Sequence, residues 1–114
     1  MDMKDLHKLY LAELSELRSV EAQMADRLGD LAGRAAHASL RARIGEHREE
    51  TEIHRDRVEQ LLQGHAERPE AHSDGSMRAM LAEADKLAGM VDDPAVRDAG
   101  LIASLQRLEH YEIA

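Results

Sequence analysis

Between Arg43 and Leu62 the chain reads RIGEHREETEIHRDRVEQLL, and its repeat is that of a helix, not of a strand. At 3.6 residues per turn, Leu40, Ile44, His47, Thr51, His54, Val58 and Leu61 fall on one side. Three of those seven positions are polar, and Glu50 leans toward the same line from one turn beyond His47. Imidazoles and a carboxylate aimed at an interior require protons, partners or a metal ion. Any fold for this chain has to accommodate that stripe.

The rest of the sequence supports an all-α domain. Ala, Leu, Glu and Arg dominate, Phe and Trp are absent, and there are two Tyr. The 114 residues suit one domain with a modest core. Helices are expected over about 2–31, 39–63, 76–91 and 94–114, with 64–75 as the loop. The first carries a seam of Tyr10, Leu14, Leu17, Glu21, Met24, Leu28 and Leu31, ended by Gly33. Glu21 stands where an apolar side chain would be expected. The third presents Met77, Met80, Leu81, Ala84, Leu87 and Val91. Asp93 and Pro94 open the last helix as N-cap and first helical residue. Its inner face reads Asp98, Leu101, Leu105, Leu108 and Glu112, with Glu109 to one side and His110 pointing away. His65 and His72 belong to the loop and are expected to be solvated.

Charge and composition exclude several classes. A formal charge of −8 argues against nucleic-acid binding through a basic face. The absence of Cys excludes disulfides and thiolate metal sites and fits a reducing cytoplasm. No apolar run approaches the roughly 20 residues that a membrane span requires.

Three long helices thus each bring acidic or imidazole groups onto an otherwise apolar face: Glu21; His47, Glu50 and His54; Glu109 and Glu112. Carboxylates can bridge divalent ions, and neutral imidazole completes a sphere suited to iron, manganese or zinc. Spacing of i, i+3 brings two ligands from one helix to one ion, and a bundle brings other helices opposite. Taken singly, each residue has an ordinary alternative. Glu21 would be salt-bridged or at a bundle edge, His54 a hydrogen-bonded core histidine, and Glu109 a solvated flank residue. Thr51 reads as a packing residue whose hydroxyl bonds one turn back.

The residues also carry a resemblance. His47-x-x-Glu50-Thr51, Asp93-Pro-Ala-Val-Arg-Asp98, the Val20-Glu21-Ala-Gln23 run and the closing Glu109-His-Tyr-Glu-Ile-Ala114 resemble the YciE/YciF family of ferritin-like proteins. The resemblance implies a ferritin-like bundle with a two-metal site, iron first, and a link to bacterial stress responses without an assigned activity. Carried over by position, its polar interior residues fall on Glu21, His47, Glu50, Glu109 and Glu112, with an acid also common at Glu16. His54 stands where a Gln is common and would be an extra ligand. The family continues beyond the EHYEIA motif with a further helix that this chain is expected to lack.

The expected function is therefore metal binding, with Fe(II) oxidation or peroxide reduction as its chemistry. Its rival is a non-enzymatic helical interaction module with a metal-free polar network setting register. Either way a homodimer is expected. The two long helices span roughly 40 Å at about 1.5 Å per residue, more than the two shorter ones can cover.

Overall fold

A computed structural model describes residues 3–65 and 73–113, with side chains from Leu6 onward. Among the described residues there are four helices and no strand: α1 (Met3–Arg34), α2 (Ala38–Gln63), α3 (Gly75–Met90) and α4 (Pro94–Ile113). The chain is an all-α helical bundle, 55 × 22 × 19 Å. The elongation arises because α1 and α2 form a long hairpin, whereas α3 and α4 pack on each other and against α1. His72, expected to be solvated, lies outside the described residues.

Two apolar clusters follow from that arrangement. The larger joins Val20, Met24, Leu28 and Leu31 of α1 to Ile44, Met77, Leu81, Leu101, Leu105 and Leu108 from the other three helices. The smaller lies at the far end of the hairpin and contains only Leu11, Leu14, Val58 and Leu62. Among the described residues α1 and α2 have only each other at that end, where Leu6, Leu9, Tyr10, Ile53 and Leu61 are exposed.

Two expectations about α1 are corrected. Gly33 does not end the helix, which runs on through Arg34. The turn is held instead by Asp98 of α4, whose carboxylate accepts the amide N–H groups of Ala36 (2.8 Å) and His37 (2.9 Å). Amides just outside helix ends lack helical partners, so a carboxylate delivered from another helix can fix the turn. Those two bonds hold the Asp98 carboxyl below its usual range. His37 then caps α2, its ring Nδ1 accepting from Ser39 N–H at 3.2 Å. Leu17 of the seam is also not fully buried, being 36 % exposed.

The start of α4 is as expected. Asp93 accepts from the N–H groups of Ala95 (2.9 Å) and Val96 (3.1 Å). The inner face is Asp98, Leu101, Leu105 and Leu108, joined by a buried Ser104. In α3, Met77, Leu81, Ala84 and Ala88 are buried, whereas Leu87 is turned toward the surface. The stripe of α2 is shifted to Ile44, Thr51, Val58 and Leu62, a spacing of seven, seven and four that follows the wrap of one helix around another. Leu61 is outside it. Among the described residues no helix is long and apolar enough to cross a membrane.

Candidate functional site

Helix α1 contributes Glu21, α2 contributes His47 and Glu50, and the last turn and a half of α4 contributes Glu109 and Glu112. The structure brings these five together around His47. Its Nε2 lies 3.0 Å from Glu112 Oε1, close enough for a direct hydrogen bond across 65 residues of sequence. Its Nδ1 lies 3.8 Å from Glu109 and 3.9 Å from Glu50, distances that give attraction but no hydrogen bond.

Burial divides the group into an inner and an outer set. Glu21 is 4 % exposed. The side chains of His47 and Glu112 are 17 % and 9 % exposed, against 43 % for Glu109 and 59 % for Glu50. The inner three therefore interact in a poorly hydrated space, while the outer two face water and are screened. Thr51 is fully buried beneath them, and its hydroxyl donates to the His47 carbonyl at 2.8 Å. That bond satisfies the hydroxyl within α2, as expected of a packing residue.

Glu21 is the anomalous member. Its Oε2 is buried and has no hydrogen-bond partner among the described residues. Burial, together with a hydrogen bond to Glu112 and the charge of Glu112, pushes its carboxyl up to about 8, although His47 opposes the shift. Two carboxylates in contact out of water cannot both ionise cheaply, so near neutrality Glu21 keeps its proton. His47 is shifted upward as well, chiefly by its hydrogen bond to Glu112, against the effect of its own burial.

His54 is not part of this arrangement. It is exposed on α2, two turns beyond His47. The reading of a hydrogen-bonded core histidine is corrected, because the buried line of that helix passes through Thr51 and Val58. His65 is corrected too. Its ring meets those of His7 and Tyr10 edge-on, each at 5.4 Å between centroids.

Asp74 was assigned no role in the sequence, yet it is one of the most buried side chains. It caps α3 by accepting from Met77 N–H at 2.7 Å, and both its carboxylate oxygens accept from the Tyr111 hydroxyl, at 2.9 and 3.0 Å. The sequence signal that could have marked it is an Asp standing just before a Gly-Ser-Met helix start.

Beside the cluster, Tyr10, Leu14, Leu17, Val20, Tyr111 and Ile113 line an open groove of about 530 Å³, with Glu13, Glu16 and Glu112 at its polar edge. As the side chains stand, no three or more His, Asp or Glu among the described residues converge to hold a metal ion.

Comparison with known proteins places this arrangement in a family. The profile described as "Domain of unknown function (DUF892)" matches residues 5–114. The Escherichia coli protein YciF is 30 % identical over 115 residues, spanning all of this chain and 69 % of that protein. The crystal structure of the E. coli stress protein YciF superposes with a TM-score of 0.87 at 29 % identity, covering 97 % of this chain and 70 % of that one. The Rhodopseudomonas palustris protein YcfI superposes with a TM-score of 0.81 at 30 % identity, covering 99 % and 70 %. The chain is thus about seven-tenths the length of the relatives it resembles.

Proposed function

The chain belongs to the DUF892 family, relatives of the stress protein YciF, and from that premise we propose that its polar cluster holds a divalent metal ion, iron first. The observation that carries the reading is the orphaned Oε2 of Glu21, buried in contact with a second carboxyl and one helix away from an imidazole. Proteins rarely leave a buried carboxylate oxygen without a partner, and a cation is the partner that four carboxylates and one imidazole suit.

The residues fit such an ion by donor type. Glu21, His47 and Glu112 would hold it from inside, Glu109 and Glu50 from the solvent side. A divalent ion would take the place of the proton on Glu21. Binding would displace the direct His47–Glu112 hydrogen bond, because neutral imidazole is the form that ligates. Bound iron would supply Fe(II) oxidation coupled to reduction of O₂ or peroxide. Within that scheme Glu21 would take up or release the proton, and the apolar side chains of the bundle would limit water. A ferritin-like role in bacterial stress, in the cytoplasm, is part of the same proposal. It is supported by the kinship with YciF and the Cys-free sequence.

A second reading draws on the direct His47–Glu112 contact and the lack of a converged donor set. In it the cluster is a proton-held polar network that fixes the register of α1, α2 and α4 without a metal. Thermal melting with and without Mn(II) or Zn(II) separates the two. An ion bound only by the folded protein raises the melting temperature by mass action, and unchanged melting at saturating metal would leave the polar-network reading in possession.

We also propose that two copies of the chain associate. The two-layered end of the α1–α2 hairpin exposes Leu6, Leu9, Tyr10, Ile53 and Leu61, more apolar surface in one place than a monomer usually leaves open. A twofold partner using the same surface is the simplest cover.

A further inference from the structure

We infer that Tyr111 is a positioning residue for the cluster: through Asp74 it anchors the last turn of α4 to α1, and so holds Glu112 against Glu21 and His47. Asp74 is tied to α1 through its backbone. Its backbone N–H donates to Ser19 Oγ at 2.7 Å, and its carbonyl accepts from Gln23 Nε2 at 3.0 Å. Gln23 also donates to Ser19 Oγ at 3.0 Å. Ser19 and Gln23 stand two residues before and two residues after Glu21, so Asp74 is fixed to the stretch of helix that presents the buried carboxyl.

Tyr111 then hangs from that anchor. Its hydroxyl donates between the two oxygens of Asp74, a charge-assisted bond that a neutral acceptor would not match. Glu112 is the next residue along, and the last turn of a helix has no carbonyl partners of its own and frays readily. Without the Tyr111 hydroxyl, the turn that carries both Glu109 and Glu112 keeps the packing of Leu108 and of the Tyr111 ring and the contacts of Glu112 itself, but loses its bond to a segment fixed on α1. A closed circuit results: Glu21 on α1, Glu112 and Tyr111 on α4, Asp74 before α3, and Ser19 back on α1.

The inference rests on the divalent-ion reading for one of its two readouts only. The test compares the wild type with Tyr111→Phe, and with Leu101→Val, which trims the core at the other end of α4 as a control for lost stability. Zn(II) and Mn(II) affinities are measured by titration, and the ¹⁵N shifts of the His47 ring are measured on metal-free protein at one fixed pH. Tyr111→Phe is expected to weaken metal binding about tenfold, the lower end for loss of a residue that orients ligands, and to move the His47 signals. Leu101→Val is expected to do neither. Equal weakening by both variants would overturn the positioning role. If the wild type binds neither ion, the metal reading fails, and the His47 signals decide alone: a shift confined to Tyr111→Phe upholds the role, and unchanged signals overturn it. Should Tyr111→Phe not fold, Ser19→Ala, which loosens the same anchor from α1, takes its place with the same two outcomes.

Discussion

His47 on α2 and Glu112 on α4 meet at 3.0 Å, and Glu112 in turn contacts Glu21 on α1, so one carboxyl near the end of the last helix ties three helices together. Glu112 raises the pKa of both Glu21 and His47. That makes protonation, metal binding and stability three measures of one cluster.

Stability should fall as pH rises through neutrality. The Glu21 carboxyl lies at about 8 in the folded protein against 4.5 as its ordinary value. Between those values the folded state holds a proton that the unfolded state has released, so its contribution is complete below about 4.5 and is lost as pH rises through about 8. His47, also raised, acts in the same direction above its ordinary value. The loss is on the order of a few kcal/mol for the metal-free protein. Urea melts at pH 5 and pH 8.5 measure it, and Glu21→Gln should flatten the difference.

Added Zn(II) or Mn(II) should reverse that fall, because a cation replaces the proton at high pH. Melting at pH 8 should rise with metal in the wild type and stay flat in the His47→Ala, Glu50→Ala double variant. Full stoichiometric metal in that variant would remove both residues from the site. Glu50→Ala alone should have the smaller effect, since its carboxylate is mostly in water.

His54→Ala should change neither metal affinity nor melting by a measurable amount. The side chain is exposed, two turns of α2 beyond His47, and substitutions at such positions usually stay within about 0.5 kcal/mol. Isothermal titration beside the wild type is the check.

Asp98→Ala should destabilise the fold and loosen the α1–α2 turn, because the amides of Ala36 and His37 would lose their acceptor. Asp98→Asn should recover part of the loss. The carboxylate is held below its ordinary value of 3.8, so its contribution is present above that value and is lost as pH falls further. Hydrogen exchange at residues 35–38 reports the turn directly.

Light scattering at micromolar concentration should return twice the 12.7 kDa chain mass. Tyr10→Lys with Leu61→Lys should bring it to the single-chain mass without loss of helix, as both side chains are exposed on the two-layered end. A wild-type mass of one chain would exclude the dimer.

Helical periodicity and composition were enough to determine four helices, their approximate limits, the Asp93 cap and the inner face of α4. These depend on neighbours a few residues apart, where spacing dictates geometry. The same spacing selected Glu21, His47, Glu109 and Glu112, since a polar residue on an apolar face is visible in one dimension. It failed at His54 as a core residue, because periodicity gives the side of a helix and not how closely a neighbouring helix approaches at that level. It also missed Asp74, whose burial depends on Gln23 and Ser19 arriving from 51 and 55 residues before it and Tyr111 from 37 residues after it. Which carboxyl keeps a proton, and which oxygen is left without a partner, were likewise decided only by tertiary structure. Desolvation and contact between helices set those properties, and neither is a function of sequence distance.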